Sequence, residues 1–218
     1  MKAGFSDPIP YHLMQQIRHG IITGRYAPGS ALREQTLEKE YGASRGPIRE
    51  ALRLLQMPGL VTHEPRRGFR VRGYSPQLVA QIYRMRGLLE RHAVESLAGR
   101  PLEPLLGKLR EANATMKALF AARDIAGYLE ANGEFHRLIL EAADNEPLQR
   151  SLATLNEMAQ PIRYALLAQQ FDRSQAIADH DMIIRLMEAG DLQVAAVAME
   201  RHVIRHMGIA AEVFDTKL

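Results

Sequence analysis

The 218-residue sequence contains no cysteine. This absence excludes disulfides, thiolate metal sites and a cysteine nucleophile. The sequence also has no run of eighteen apolar residues, so we expect no membrane-spanning helix. Its first eight residues lack the apolar core of a signal peptide. These absences are compatible with a cytoplasmic protein that has no membrane association.

The charges that are present are unevenly distributed. Residues 1–75 hold 12 Lys or Arg and 6 Asp or Glu, a net charge of +6, whereas residues 76–218 hold 16 and 19, a net charge of −3. A basic N-terminal third on an acidic remainder indicates a nucleic-acid-binding module joined to a second module. Chance clustering of surface lysines and arginines is the competing interpretation.

A helix–turn–helix pattern lies within the basic part. Apolar spacing predicts three helices, over residues 10–24, 34–41 and 47–56. Gly42 predicts a tight turn before the third helix, and Arg45 and Arg49 stand near the start of that helix. A helix N-terminus that presents two arginines suits the phosphates and guanine edges of a DNA major groove. Arg33 is a weaker candidate for DNA contact.

The periodicity then changes from helical to alternating. Residues 60–64 and 69–72 are predicted to form two short strands, joined by a hairpin turn at Pro65-Arg66-Arg67-Gly68. Arginines at a hairpin tip suit contact with the DNA backbone or minor groove. Three helices followed by a basic hairpin predict a winged helix-turn-helix with a two-stranded wing.

Beyond residue 74 the sequence shows no strand pattern. Six helices are predicted, over residues 77–99, 103–122, 125–143, 147–168, 173–189 and 192–213. We therefore predict a mainly α protein with two domains. Residues 1–74 form the winged helix-turn-helix DNA-binding domain, and residues 75–218 form an all-helical bundle.

Three histidines fall on three separate predicted helices of the second domain, namely His136, His180 and His202. Asn132 lies four residues before His136, so both side chains face the same way. Imidazoles from facing helices, together with an oxygen ligand, could hold a divalent metal inside a bundle. A histidine on a helix is more often structural or exposed, so the spacing alone leaves both interpretations open.

The N-terminal motifs resemble the winged helix of GntR-type bacterial transcription regulators. The resemblance is carried, in the family's order, by residues 21–29, 44–52, 59–61 and 66–68. It implies DNA contacts by Ser44, Arg45 and Arg49, and an approach of Gly68 to the minor groove or backbone. Gly46 departs from the family, which usually has threonine or serine there. A hydroxyl contact to phosphate, and a helix cap, would be missing at this position.

Residues 77–215 resemble the all-helical effector-binding and dimerisation domain of the FadR subfamily, called the FCD domain. Members bind double-stranded operator DNA as homodimers and respond to small metabolites, often carboxylates. In the metal-binding branch, the ligand positions match Asn132, His136, His180 and His202. The resemblance therefore implies a metal, with zinc the default and nickel or manganese the alternatives. Asn132 stands where aspartate is usual, which removes one negative charge from the metal.

Arg86 matches an arginine that often lines the pocket of this family, where it could fork onto a carboxylate. The competing interpretation is a surface pair between Arg86 and Glu90 at helical i,i+4 spacing. His206 lies four residues after His202 and could replace one metal ligand, although the match to the family stops at His202.

These patterns predict a DNA-binding transcription regulator, not an enzyme, that is controlled by a small carboxylate bound near a metal. One alternative is a metal-free regulator with a longer, apolar effector. The other is a metal-dependent hydrolase that uses the three histidines. The sequence has no Glu-x-x-His or His-Glu-x-x-His pairing to supply a general base, and hydrolysis would leave the basic module unexplained.

Overall fold

The computed structural model describes residues 9–168 and 174–205, together with residues 207 and 210. Its contacts divide the chain into two compact units, Met1–Tyr74 and Ser75–Leu218. Among the described helices, none is long and apolar enough to cross a membrane. The predicted fold class is confirmed, because a winged helix-turn-helix is followed by a helical domain.

The first unit alternates helices with short strands. In chain order its elements are α1 (Ile9–Ile22), β1 (Ala31–Leu32), α2 (Glu34–Tyr41), α3 (Arg45–Gln56), β2 (Val61–Glu64) and β3 (Gly68–Val71). Ile17 and Ile21 of α1 are buried in one cluster with Ile48 and Leu52 of α3. Apolar side chains at helical spacing give each helix one buried face, and this packing fixes the position of α3.

The sheet has one strand more than predicted. It is antiparallel with the order β1-β3-β2, and Arg70 of β3 pairs with Ala31 on one side and Thr62 on the other. The predicted two-stranded wing is therefore present as β2 and β3, and β1 is a third strand that the sequence did not predict. Strand β1 has two residues, which is too short to show the alternation by which strands are predicted.

Helix α3 begins two residues earlier than predicted. Ser44 is its N-cap, with an extended backbone (φ −76°, ψ 163°), and Arg45 is its first residue. Gly46 is therefore not at the cap, as the sequence suggested, but is the second residue of the helix. Pro47 becomes the third residue and is tolerated there, because the first four N–H groups of a helix have no partner within it.

The second unit is helical throughout its described residues. Its elements are α4 (Pro76–Glu95), α5 (Glu103–Ala121), α6 (Ile125–Ala142), α7 (Glu146–Ala168), α8 (Ser174–Glu188) and α9 (Leu192–Ile204). Helix α4 ends four residues before the predicted residue 99, where the Ser96 hydroxyl donates to the His92 carbonyl at 2.7 Å. The predicted start of α8 at residue 173, and most of the predicted extension of α9 to residue 213, lie outside the described residues.

Helix α4 packs against α7 and α9, α5 packs against α6 and α8, and α8 packs against α9. At Gly87 the α4 backbone comes so close to α9 that an added Cβ would lie 2.9 Å from Cγ2 of Ile204. The inward faces of four helices thereby bring together buried Glu90, His136, His180 and His202.

Candidate nucleic-acid interface and candidate metal centre

A concave surface of about 930 Å³ lies between the wing and the start of α3. Its lining includes five arginines, namely Arg33, Arg45, Arg66, Arg67 and Arg70. Gly68 belongs to the same lining, as do two carboxylates, Glu34 and Glu64. A concave surface rich in positive charge concentrates a polyanion such as DNA. The structure thus places most of the predicted DNA-contacting residues around one depression.

Glu34, at the start of α2, binds two of the arginines of α3, Arg45 and Arg49. The guanidinium of Arg49 donates to its carboxylate from Nε at 2.9 Å and from Nη2 at 3.1 Å, and Arg45 donates from Nε. Burial raises the pKa of Glu34, but the hydrogen bonds from Arg49 and Arg45 outweigh it and lower the pKa. Sequence reasoning missed Glu34, because a partner on another helix has no periodic spacing.

The remaining residues of the helix start are open to solvent. Ser44 is exposed, and its side chain makes no capping hydrogen bond with α3. Gly46 is also exposed, and a Cβ added there would meet nothing within 4 Å. The family's usual threonine or serine is therefore not excluded from this position by a steric clash of its Cβ. What Gly46 lacks is the hydroxyl group.

The wing presents its arginines at the tip. Arg66 adopts a left-handed backbone (φ 65°), as does Gly68 (φ 76°), which allows the tight turn between β2 and β3. Arg66 is exposed and has no hydrogen bond or ion pair to the residues that the structure describes, whereas Arg67 makes a long contact of 3.5 Å with Glu64. Arg33, the N-cap residue of α2, is exposed as well.

In the helical unit, the three predicted histidines converge. His136 of α6, His180 of α8 and His202 of α9 are buried, and one ligand nitrogen from each lies within 4.8 Å of the other two. The Nε2 atoms of His180 and His202 are 3.2 Å apart. Three imidazoles at this separation match the nitrogen ligand set of a tetrahedral divalent metal.

Carboxylates orient two of these imidazoles. Glu90 forms a hydrogen bond with Nδ1 of His136, and Asp179 lies 3.3 Å from Nδ1 of His202. Asp179 is itself held by Arg205 at 3.0 Å. A carboxylate on the far nitrogen is the usual companion of a metal-bound histidine, because it fixes the tautomer and frees Nε2 for the metal. Sequence reasoning missed both carboxylates in this role.

His180 is held differently. Its ring stacks on Phe135 with 3.7 Å between centroids and 5° between planes, and its buried Nδ1 has no hydrogen-bond partner in the described part of the chain. Burial, followed by the charges of neighbouring histidines, keeps the pKa of His180 well below its ordinary value. Burial also lowers the pKa of His136, although Glu90 opposes it. Neutral imidazole is the form that binds metals.

Asn132 is buried one helical turn before His136, so it lies on the same face of α6. Its amide oxygen is the oxygen donor that the sequence offers for a metal at this position. His206, the weaker candidate ligand, lies outside the described residues.

Arg86 belongs to the same buried network. Its Nη2 donates to Glu90 at 2.9 Å, and its Nε donates to Asn156 at 2.7 Å. The predicted pair between Arg86 and Glu90 exists, but its expected surface position was wrong, since the two side chains are 5% and 6% exposed. Burial would raise the pKa of Glu90, but His136 and Arg86 lower it to about 2.

The chain matches two protein families, one in each unit. The family described as "Bacterial regulatory proteins, gntR family" matches residues 11–71, and the FCD domain matches residues 81–205. The FCD match alone spans more than half of the chain.

Similar proteins are named as transcription regulators. The uncharacterized HTH-type transcriptional regulator YdhC of Bacillus subtilis (strain 168) is 29% identical over 202 residues, which cover 91% of this chain and 88% of that protein. The gluconate operon transcriptional repressor of the same organism is 28% identical, over 81% of this chain and 74% of that protein.

A solved structure shares the fold. Escherichia coli McbR/YncC superposes with a TM-score of 0.78 at 19% identity, covering 95% of this chain and 99% of that one. The likeness concerns architecture alone at this identity.

Proposed function

The chain belongs to the FadR subfamily of GntR-family bacterial regulatory proteins and carries an FCD domain, and from this premise we propose that its helical unit binds a divalent metal and a small carboxylate effector. The protein is a DNA-binding transcription regulator and not an enzyme. The observation that carries the proposal is the convergence of three buried imidazoles, two of them oriented by carboxylates.

For the metal, we propose His136, His180 and His202 as ligands, with Asn132 as an oxygen donor. Zinc is the default ion, and nickel and manganese are alternatives. Three or four protein ligands leave coordination positions open, which a carboxylate can occupy. Asparagine brings no negative charge, so the metal retains more positive charge to attract an anionic effector.

For DNA, we propose that α3 enters the major groove and the wing follows the backbone or minor groove. Arg45 and Arg49 would then read base edges, while phosphate and backbone contacts come from Arg33, Ser44, Gly46, Arg66, Arg67 and Gly68. Gly46 can offer only its backbone N–H, which suits a phosphate at a helix start. The arginine-rich depression supports this docking.

We further propose that the regulator acts in the cytoplasm as a homodimer on two operator half-sites. Effector binding would shift the helical unit between conformations that differ in DNA affinity. A symmetric dimer fits DNA binding by a single winged helix per chain, because two half-sites multiply the base contacts available.

The buried groups favour this proposal over a metal-free regulator with a long apolar effector. A cluster that contains three imidazoles, Arg86 and Glu90 would gain no hydrogen bond from an apolar chain, and polar atoms buried against such a chain are costly. The hydrolase alternative is set aside because the similar proteins are regulators.

Metal content tests the proposal. Protein purified without chelators or a histidine tag is dialysed against zinc, nickel or manganese and measured by mass spectrometry for bound metal. We expect about one ion per chain, and far less in His180→Ala, because two imidazoles and one neutral amide oxygen are a weaker ligand set than three imidazoles and that oxygen. His92→Ala is the matched control, since His92 is exposed on α4.

Circular dichroism establishes that both variants are folded. Occupancy below about 0.2 ions per chain after zinc dialysis would contradict a metal site. Equal occupancy in wild type and His180→Ala would place the metal elsewhere.

A further inference from the structure

Arg163 of α7 is a half-buried cation that has no partner among the described residues. Its guanidinium makes no hydrogen bond or ion pair with any residue that the structure describes. Arg163 lies two helical turns after Asn156, so the two share one face of α7. Asn156 contacts Arg86 across the α4–α7 interface. Arg163 therefore stands on the face of α7 that is turned toward the buried network.

The electrostatics agree with this placement. Burial, followed by the positive charge of Arg86, lowers the pKa of Arg163 to about 10, with Tyr83, Glu90 and Tyr128 opposing the shift. A half-buried charge with no counter-ion among the described residues is costly to maintain. Such a group is expected either to be absent from a folded protein or to meet an anion when the protein works.

Arg86, the arginine that the sequence offered for an effector carboxylate, is already engaged. Its Nη2 donates to Glu90 and its Nε donates to Asn156, and both side chains of the ion pair are buried. A ligand that used Arg86 would have to displace Glu90, which in turn orients His136. Arg163 can fork onto a carboxylate without breaking any described contact.

The charge balance around the three histidines also favours an anionic ligand at Arg163. Two guanidiniums, those of Arg86 and Arg163, lie near one carboxylate, Glu90, and the second carboxylate beside the histidines, Asp179, is already paired with Arg205. A divalent ion on the imidazoles would add two further positive charges. A ligand with a single carboxylate would leave most of this excess uncompensated in a buried site.

We propose that the effector carries at least two acidic groups, one that occupies the open positions of the metal and one that is bound by Arg163. This inference rests on the proposed function, since it assumes the metal and the carboxylate. It narrows the effector class to diacids, in which the second acid binds a guanidinium that has no partner among the described residues.

Calorimetric titration of the zinc-loaded full chain tests the inference. The probes are malonate, succinate, glutarate and adipate, each compared with the monocarboxylate of equal carbon number. We expect at least one diacid to bind with a dissociation constant at least about tenfold lower than its monoacid, as a charge-assisted bidentate contact supplies. Arg163→Met should abolish that preference, because it should weaken binding of the diacid far more than binding of the monoacid.

Arg163→Met removes no described contact of the guanidinium, so we expect it to fold, and thermal unfolding checks this. Arg163→Lys keeps the charge and should retain part of the preference. Arg150→Met is the matched control, because Arg150 lies on the same helix with an exposed side chain that pairs only with Glu146 in the described structure.

Two results would overturn the inference and leave the proposed function intact. The first is equal, zinc-dependent binding of diacids and monoacids, as expected if one carboxylate bridges the metal and the arginine. The second is a diacid preference that persists in Arg163→Met. Failure of every carboxylate to bind, with zinc or without it, would contradict both the inference and the proposed carboxylate effector.

Discussion

The two candidate sites of this protein use arginine in opposite ways. Arg33 and Arg66 of the winged helix are exposed, and Arg49, whose side chain is 43% exposed, contacts a carboxylate at the surface. In the helical unit, Arg86 is buried and bound by Glu90 and Asn156. An exposed arginine costs little free energy of folding and stays available for phosphate, whereas the charge of a buried arginine needs a compensating carboxylate or anion.

The difference separates two kinds of recognition. Binding through exposed arginines releases counter-ions and weakens steeply with salt. Binding in a buried, hydrogen-bonded network depends on geometry and charge balance, and salt screens it much less. We therefore expect DNA binding and effector binding by this protein to respond very differently to ionic strength.

The largest effect on stability is expected from substitution of the buried arginine, Arg86. Arg86→Ala removes the cation that balances buried Glu90 and the donor to Asn156, so we expect the free energy of unfolding to fall by about 3–5 kcal/mol. Arg49→Ala should lower it by less than about 1 kcal/mol, as for other exposed pairs. Urea denaturation of the metal-free variants measures both. A loss below about 1 kcal/mol in Arg86→Ala would show that the pair is not buried as described.

The second effect concerns the role of the exposed arginines in DNA binding. Arg49→Ala should weaken specific operator binding by about 1–3 kcal/mol, because one bidentate contact with guanine would be lost. Non-specific binding should change much less. Titration of operator and scrambled duplexes by fluorescence anisotropy separates the two, with Arg150→Ala as a control of equal charge. Equal losses on both duplexes would reduce Arg49 to a phosphate contact.

The smallest effect is expected at Glu34, the carboxylate that binds Arg45 and Arg49 of α3. The pKa of Glu34 is lowered in the folded protein, so its ion pair with Arg49 stabilises the fold above the ordinary carboxyl pKa and is lost as the pH falls through the folded pKa. The free energy difference between wild type and Glu34→Gln should be at most about 1 kcal/mol near pH 7.

The difference in free energy of unfolding between wild type and Glu34→Gln should shrink as the pH falls below 4.5, the ordinary pKa of a glutamate carboxyl. Chemical denaturation at several pH values measures it, and Glu38→Gln, on the same helix, is the control. A difference that stays constant down to pH values near 3 would show that the carboxylate of Glu34 is not ion-paired in solution.

Much of the architecture could be predicted because it depends on local signals. The buried faces of α1 and α3 follow from the spacing of Ile17, Ile21, Ile48 and Leu52, and the hairpin follows from alternation around Gly68. The start of α3 was misplaced because proline suggested a first helical position, whereas Ser44 two residues earlier provides the extended N-cap. Two competing local signals cannot be ranked without the surrounding packing.

The candidate site was only half predictable for a different reason. The histidines could be found because each lies in a context that resembles a known family. Glu90, Asp179 and Arg163 could not, because their roles depend on which helices become neighbours. Glu90 is 46 residues from His136, and no sequence spacing connects them. The histidines that are proposed to bind the metal are thus easier to predict than the residues that orient these histidines or balance the charge around them.

The open space above Gly46 has an evolutionary consequence. A side chain added there would touch nothing, so the helix start can change without any change in packing. A single nucleotide substitution in a glycine codon can introduce a serine hydroxyl, which could strengthen phosphate contact at many operators at once. The strength of repression or activation by this regulator could therefore be adjusted over generations, while its stability and its metabolite response are inherited unaltered.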